Sequence, residues 1–286
     1  MNVREIAAAA LGRDPGPLQT AESLSHKVYL GADVVVKITD RHSRLDREIA
    51  LAPHLPNGVT APLLAAGRHD NICYACYARV PGTPPSLDAA TVRNLAEQAV
   101  ERLQRLHDWT PGPEAVETLS EQLDHGGFTG RDALRAEIER LQAAAPSVLP
   151  TWVAPGLTAI ADRAPDTAGT SVPVHADCHW ANWLVDGDHV TALLDFEWAR
   201  LGEPVDDWFF LIRFSGPHVA AVLDVVAKAT GVPEDELRAG CEVREAAYLA
   251  SDVRLSLEGD PRAGIGSIGD LEQLIVDRYW WRSSSA

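Results

Sequence analysis

The 286-residue chain has little cysteine, little lysine and no long apolar run. No stretch approaches the roughly 18 apolar residues that a membrane helix needs, so the sequence predicts no membrane partner. The N-terminus carries Arg4 and Glu5 and then a short alanine run, without the apolar core and cleavage pattern of a signal peptide. We therefore expect a cytoplasmic protein.

The cysteines are Cys73, Cys76, Cys178 and Cys241, too few for a disulfide scaffold in a chain of this length. Cys73 and Cys76 have C-x-x-C spacing, but their surroundings, NICYACYARV, are typical of a strand. Residues three apart on a strand point to opposite faces of the sheet. The pattern therefore argues against a redox pair or a metal site and predicts two half-buried cysteines.

The net charge of −16 argues against a nucleic-acid-binding protein, which usually has a basic face. An acidic protein attracts cationic ligands, although solubility alone explains the charge equally well. Only Lys27, Lys37 and Lys228 are lysines, so the position of each lysine is informative.

The chain changes character near residue 80. Residues 1–80 alternate short apolar runs with one helical segment, DRHSRLDREIALAPHL, and Gly31–Asp33 forms a turn between the predicted strands HKVYL and VVVKI. The segment VPGTPP at Val80–Pro85 predicts a lobe boundary. Beyond it, apolar residues recur at helical spacing, and we predict helices near 92–106, 134–141, 219–226, 234–257 and 268–281. The predicted lobes are therefore residues 1–80 and 81–286.

One segment of the second lobe does not have a helical pattern. In HADCHWANWLVDGDHVTALLDFEWA, two apolar runs flank Asp186-Gly187-Asp188, which predicts a β-hairpin. A hairpin would bring Asn182, just before its first strand, close to Asp195, just after its second.

The residues around this hairpin resemble a known family. His175-Ala-Asp177 followed by Asn182, then Asp195-Phe-Glu197, then Gly202-Glu-Pro-Val-Asp-Asp207, resemble the aminoglycoside phosphotransferase and choline kinase-like family, in its antibiotic kinase branch. The resemblance implies an α+β, bilobal protein-kinase-like fold, with a small mixed β-sheet N-lobe and a larger, mainly helical C-lobe. It also implies binding of ATP or GTP with Mg²⁺.

The resemblance implies specific roles. Asp177 would face the attacking hydroxyl, Asn182 and Asp195 would hold Mg²⁺ through oxygen atoms, and His175 and Asp207 would support the site. A rival interpretation combines His175, Asp177 and His179, with Cys178, as a zinc site. It leaves Asn182, Asp195 and the first lobe unexplained.

The first lobe would supply the other half of the nucleotide site. Lys37 resembles the phosphate-binding lysine and Glu48 its partner, and a lysine inside an apolar strand is costly unless paired. An edge-strand lysine facing water is the alternative. No G-x-G-x-x-G precedes this strand, so the loop around Ser25 is the candidate phosphate cover, and Tyr77 to Val80 resembles the hinge that meets the base. The G-x-G-x-x-G match at Gly264–Gly269 follows no convincing strand and predicts only a loop.

The sequence is compatible with several phosphate acceptors. The net charge favours a cationic antibiotic, either an aminoglycoside or a basic peptide. The alternatives are a kinase for choline, homoserine or a sugar, a non-catalytic nucleotide-binding module, and a transferase that moves the nucleotide itself. The candidate ammonium contacts, any of which could instead lie on a solvated helix face, are Glu117, Glu121, Glu197, Glu242, Glu245 and Asp252.

Overall fold

The computed structural model describes residues 2–23, 26–39, 44–121, 123, 127–144, 146–169, 171–260 and 266–282. The chain divides into two compact units, one of residues 1–121 with 175–200 and one of residues 122–174 with 201–286. The helices are α1 Val3–Leu11, α2 Leu45–Leu51, α3 Val92–His107, α4 Pro113–Leu119, α5 Arg131–Ala144, α6 Val153–Ala161, α7 Pro204–Arg213, α8 Val219–Thr230, α9 Glu234–Leu257 and α10 Ile268–Ile275. The strands are β1 Gln19–Ala21, β2 Lys27–Leu30, β3 Val34–Thr39, β4 Leu63–His69, β5 Ile72–Ala78, β6 Val172–Val174, β7 Trp183–Asp186, β8 His189–Leu193 and β9 Arg200–Gly202.

The first unit contains a five-stranded antiparallel sheet in the order β1-β2-β3-β5-β4. Its two faces are covered by different helices, because side chains alternate along each strand. Ala7 of α1 packs with Val34 and Val36 on one face. Leu45 of α2 packs with Ala75 and partly buried Val35 on the other. Lys37 follows the alternation of β3 and therefore lies on the α2 face, in an interior strand and not at an edge.

The C-x-x-C pair follows the same alternation. Cys76 belongs to the apolar cluster that contains Ala7, whereas Cys73 belongs to the cluster that contains Leu45. The prediction that the two thiols point to opposite faces is confirmed, although both are buried and not half-buried. Burial raises the pKa of both thiols to about 11, which makes them poor nucleophiles and poor metal ligands at neutral pH.

The compact units do not coincide with lobes of 1–80 and 81–286. Helices α3 and α4 and the hairpin of β7 and β8 belong to the first unit, because polar contacts attach them to it. Arg102 of α3 donates to the carbonyls of Val59 at 3.2 Å and Val190 at 2.8 Å. The backbones of Thr83 and Val185 pair in an isolated bridge.

The second unit is mainly helical and is organised around α9, which packs against α5, α6, α7, α8 and α10. The helix predicted over 268–281 ends at Ile275, and a short 3₁₀ turn, Tyr279–Trp281, follows Arg278, whose φ is +49°. Among the described residues, no single helix is long and apolar enough to cross a membrane; only the bent pair Pro204–Arg213 and Gly216–Thr230 passes on length and composition.

Gly82 is predicted to be intolerant of a side chain. Its φ is +112°, and a Cβ atom there would lie 2.7 Å from the carbonyl oxygen of Val185. We expect Gly82→Ala to cost at least about 2 kcal/mol in the free energy of unfolding, measured by urea denaturation. Gly187→Ala is the control, since Gly187 has a φ of +62° but open space around it, and should cost only about 1 kcal/mol. Equal losses would contradict the close approach at Gly82.

Candidate active site

The loop from His175 to Asn182 is held by hydrogen bonds from its own first residue. His175 Nε2 lies 2.8 Å from the carbonyl oxygen of Leu194, and its Nδ1 lies 3.2 Å from the backbone N–H of Asp177. This pattern requires the proton on Nε2, because Nδ1 accepts. Ala176, between them, has a φ of +61°, a conformation that favours glycine. Both ring nitrogens of His175 are thus engaged, which argues against the zinc interpretation.

The hairpin places Asn182 beside both carboxylate loops. Asn182 Nδ2 donates to the carbonyl oxygen of Asp177 at 2.8 Å and to its Oδ2 at 3.2 Å. The backbone N–H of Leu194 donates to the carbonyl oxygen of Asn182 at 2.8 Å, so Asp195 follows directly. Because the amide nitrogen of Asn182 is committed to Asp177, the side-chain oxygen is the atom that can bind a ligand.

Asp195 begins a tight turn with an unusual backbone. Its φ and ψ are +67° and +58°, and a 3₁₀ turn, Phe196–Trp198, follows it. The ring of Phe196 is buried against His175 with a centroid distance of 4.5 Å. The left-handed backbone of Asp195 is therefore supported by packing of Phe196 against the loop that carries Asp177.

Lys37 connects this turn to α2. Its Nζ lies 2.9 Å from both carboxylate oxygens of Glu48 and 2.5 Å from Oδ1 of Asp195. The side chains of Lys37 and Glu48 are only 12% and 5% exposed, so the charges are shielded from water and need each other. The structure thus brings Lys37, Glu48 and Asp195 together.

The pKa values follow from burial and pairing. Burial alone would lower the pKa of Lys37, but Glu48 and then Asp195 outweigh it and raise that pKa. Burial raises the pKa of Glu48 despite the opposing effect of Lys37. Burial would also raise the pKa of Asp195, but the ammonium of Lys37 lowers it overall. Asp195 therefore stays ionised at neutral pH, as a metal-binding carboxylate must.

The oxygen atoms available here fit Mg²⁺, which prefers hard oxygen ligands. The side-chain oxygen of Asn182 and the carboxylate of Asp195 supply such atoms. A second group of possible metal ligands consists of His26, Glu48 and Asp195, whose ligand atoms lie within 4.8 Å of one another. That group fits a cation less well, since the ammonium of Lys37 already contacts both of its carboxylates.

Two residues of this unit were missed by the sequence analysis. His26 is buried, and its Nε2 lies 3.0 Å from Oε2 of Glu197. Glu197, a candidate substrate contact, therefore has its carboxylate engaged by a histidine. Arg47, next to Glu48, is also buried and donates to backbone carbonyls beyond Asp195. An arginine beside the predicted partner of Lys37 was the available signal.

The remaining residues predicted to contact the nucleotide from the first unit are Ser25, Tyr77 and Val80. Ser25 lies outside the described residues. Tyr77 lies within β5, between its ladder partners Val35 and Leu63, so it precedes the end of the strand and is not part of a free hinge. Its ring instead lies under Lys37, with Nζ 5.7 Å from the ring centroid. Val80 follows the strand and packs against the cluster that contains Tyr77.

The acidic residues proposed for the acceptor have internal partners in the second unit. Glu242 accepts from Arg163 and from Trp281 Nε1, both at 3.0 Å. Glu245 is buried against Arg213, whose Nε lies 2.6 Å away. The structure does not support Glu245 as a substrate contact, because its side chain is only 2% exposed and a ligand would have to displace Arg213.

Asp252 and Asp207, both residues of the second unit, are also buried. Asp252 is fully buried, and its Oδ2 accepts the backbone N–H of Gly266 at 2.5 Å. It holds a loop and is not available to a substrate. Asp207 is fully buried in α7. Its neighbour Asp206 accepts from Arg244 Nε at 3.2 Å, so this part of the motif contributes to the internal packing of the unit.

A sequence model described as the phosphotransferase enzyme family matches residues 20–242. The chain belongs to this family. Its fold resembles a thermostable mutant of aminoglycoside phosphotransferase APH(4)-Ia, in the apo form, at 16% identity over 96% of this chain and 99% of that chain, with a TM-score of 0.66. It also resembles macrolide 2'-phosphotransferase MphH from Brachybacterium faecium, at 20% identity over 96% and 95%, with a TM-score of 0.64.

A third similar structure is ADP-bound aminoglycoside phosphotransferase APH(2'')-Ib, at 16% identity over 91% of this chain and 92% of that chain, with a TM-score of 0.64. A search of curated protein sequences gave no match. The predicted α+β kinase-like fold and the predicted phosphotransferase class are confirmed.

Removing Lys37 is predicted to make stability strongly dependent on pH. In Lys37→Met, Glu48 loses the group that opposes its raised pKa, so its buried carboxylate lies within 4.8 Å of that of Asp195 without the ammonium that pairs with both. A carboxyl group whose folded pKa lies above its unfolded value of about 4.3 loses stability as pH rises. We therefore expect Lys37→Met to be less stable than the wild type by about 3 kcal/mol or more at pH 8, and by less at pH 5. Urea titrations of both proteins at the two pH values measure this. A pH-independent difference would contradict it.

Proposed function

We propose that this phosphotransferase moves the γ-phosphate of ATP, bound with Mg²⁺, onto a hydroxyl group of a cationic small molecule. The observation that carries the proposal is the arrangement in one compact unit of Lys37 with Glu48 and Asp195, and of Asp177 with Asn182. Phosphoryl transfer depends mainly on positioning and charge neutralisation, and this arrangement supplies both.

Each residue has a defined task in this proposal. Asp177 orients the attacking hydroxyl and accepts its proton, while Asn182 fixes the carboxylate of Asp177 through its amide N–H. The ammonium of Lys37, held by Glu48, would bind the phosphates. Asn182 and Asp195 would hold Mg²⁺, which supplies charge neutralisation of the phosphate oxygens when bound.

The two segments of the chain would divide these tasks. Residues 1–80 would bind the nucleotide, and residues 81–286 would supply catalysis and acceptor binding, in a cytoplasmic protein. ATP is the favoured donor, because solved relatives of this fold include complexes with ADP and with AMP-PNP.

An aminoglycoside or a basic peptide antibiotic is the favoured acceptor. The net charge of −16 attracts cations, and similar structures are described with hygromycin B, streptomycin and gentamicin. One observation favours a second candidate, a kinase for a less cationic metabolite. The acidic side chains of the second unit that were expected to meet ammonium groups are engaged internally, Glu242 and Glu245 by arginines.

The role of Asp177 is tested by Asp177→Ala. Because the substitution removes the hydroxyl-orienting carboxylate and leaves Lys37 and Asp195 in place, we expect turnover to fall by a factor on the order of 10²–10⁴ while nucleotide affinity is retained. Steady-state kinetics and calorimetric titration with AMP-PNP measure the two quantities. Asp188→Ala, at an exposed aspartate in the turn between β7 and β8, is the control and should leave turnover unchanged. Near-normal turnover in Asp177→Ala would remove Asp177 from the mechanism.

The acceptor class is tested with the purified protein, Mg²⁺, and ATP or GTP against aminoglycosides, basic peptide antibiotics, macrolides, choline, homoserine and sugars. Product masses should show one added phosphate on a cationic antibiotic. Turnover only with choline, homoserine or a sugar would overturn the antibiotic assignment and retain the chemistry. Transfer of a nucleotide, visible as a larger mass increase, would overturn the reaction type, and nucleotide binding without any turnover would favour a non-catalytic module.

A further inference from the structure

Arg47 lies in α2 immediately before Glu48, yet its side chain takes no part in the Lys37 ion pairs. Its side chain is buried, with the whole residue only 8% exposed. A buried guanidinium is costly unless its N–H groups are all satisfied. The hydrogen-bond acceptors of the Arg47 guanidinium therefore show which segments of the chain Arg47 holds in place.

Two of these partners belong to the turn that follows Asp195. Arg47 donates through a terminal nitrogen to the carbonyl oxygen of Ala199 at 2.7 Å, and through Nε to that of Glu197 at 3.4 Å. The other terminal nitrogen donates to the carbonyl oxygen of Thr118 at 2.8 Å and to the carboxylate of Glu121. Glu197, Ala199 and Thr118 lie at the ends of short helical segments, where carbonyls lack partners within the helix.

The turn needs support from outside. Asp195 has a left-handed backbone, which costs energy and persists only where surrounding contacts impose it. Phe196 is fixed from one side by His175. Arg47 fixes the carbonyls of the same turn from α2, and Arg44 adds a contact, with its guanidinium carbon 3.5 Å from the centroid of the Trp198 ring.

We propose that Arg47 is a positioning residue that fixes the position of the Asp195 turn relative to α2. The same helix then sets both the position of the Glu48 carboxylate and the orientation in which Asp195 would bind the metal. The proposal rests on the nucleotide and Mg²⁺ site described above. The planar fork of arginine is essential, because a lysine ammonium is a point donor and cannot reach carbonyls on two segments at once.

The test measures Mg²⁺-dependent nucleotide affinity, which needs no knowledge of the acceptor. AMP-PNP is titrated calorimetrically into wild type, Arg47→Lys and Arg47→Ala, with Mg²⁺ and again with EDTA. We expect the gain in affinity due to Mg²⁺ to fall about tenfold or more in both variants, as when an outer contact of a metal ligand is lost. Affinity in EDTA should change little, since Lys37 and Glu48 remain.

Arg102→Ala is the matched control. Arg102 also bridges backbone carbonyls within the first unit, those of Val59, Val190 and Thr191, but none of them belongs to the Asp195 turn. Thermal unfolding should show a loss of stability in both alanine variants, while only the Arg47 variants lose the effect of Mg²⁺. Added guanidinium should restore part of that effect in Arg47→Ala.

Three results would overturn the proposal. The first is a folded Arg47→Lys with the Mg²⁺ dependence of the wild type. The second is an equal loss of affinity with Mg²⁺ and with EDTA, or failure of Arg47→Lys to fold, either of which would make Arg47 a purely structural residue. The third is a wild-type protein whose nucleotide affinity does not respond to Mg²⁺, which would remove the metal site itself. A wild-type protein that binds nucleotide in a Mg²⁺-dependent way but transfers phosphate to no acceptor would instead count against the proposed function and leave the role of Arg47 standing.

Discussion

The buried ammonium of Lys37 is the constraint on which the rest of the site depends. It lies in an interior strand and is shielded from water, so it persists only because Glu48 and Asp195 provide opposite charge at hydrogen-bond distance. The two carboxylates come from segments far apart in the chain. Pairing them with one cation therefore fixes α2 and the turn after β8 relative to the same strand.

Because Asp195 must stay beside Lys37, several side chains of the first unit serve to hold the Asp195 turn in place. The carboxylate of Asp195 meets Lys37 from a left-handed backbone, and that backbone is held by Phe196 against His175 and by Arg47 from α2. His175 in turn fixes the loop of Asp177 through both ring nitrogens. The loop of Asp177 and the turn of Asp195 are thus linked by direct contacts, so a change in one is expected to reach the other.

The second unit uses its charges differently. Several of its buried acids are paired with arginines of the same unit, as Glu245 is with Arg213 and Asp206 with Arg244. Such pairs hold helices together and engage these particular carboxylates internally. The acidity of the protein as a whole therefore says less about the acceptor than the composition suggests, and the acceptor is the part of the function that requires experiment.

Most of the helices and strands, and the class of reaction, could be predicted from the sequence alone. Short apolar runs on either side of a turn indicated the strands around Lys37, the Asp-Gly pair indicated the hairpin that joins Asn182 to Asp195, and their ordered motif indicated the family. These signals come from residues close together in the chain, so they can be recognised without knowledge of the tertiary structure. The sequence could not show which acids are buried, because a glutamate on a helix has the same pattern whether it faces water or, like Glu242, an arginine from another helix. For the same reason His26 and Arg47 were missed, and the compact units differed from the predicted lobes: packing between distant segments is decided only when the chain folds.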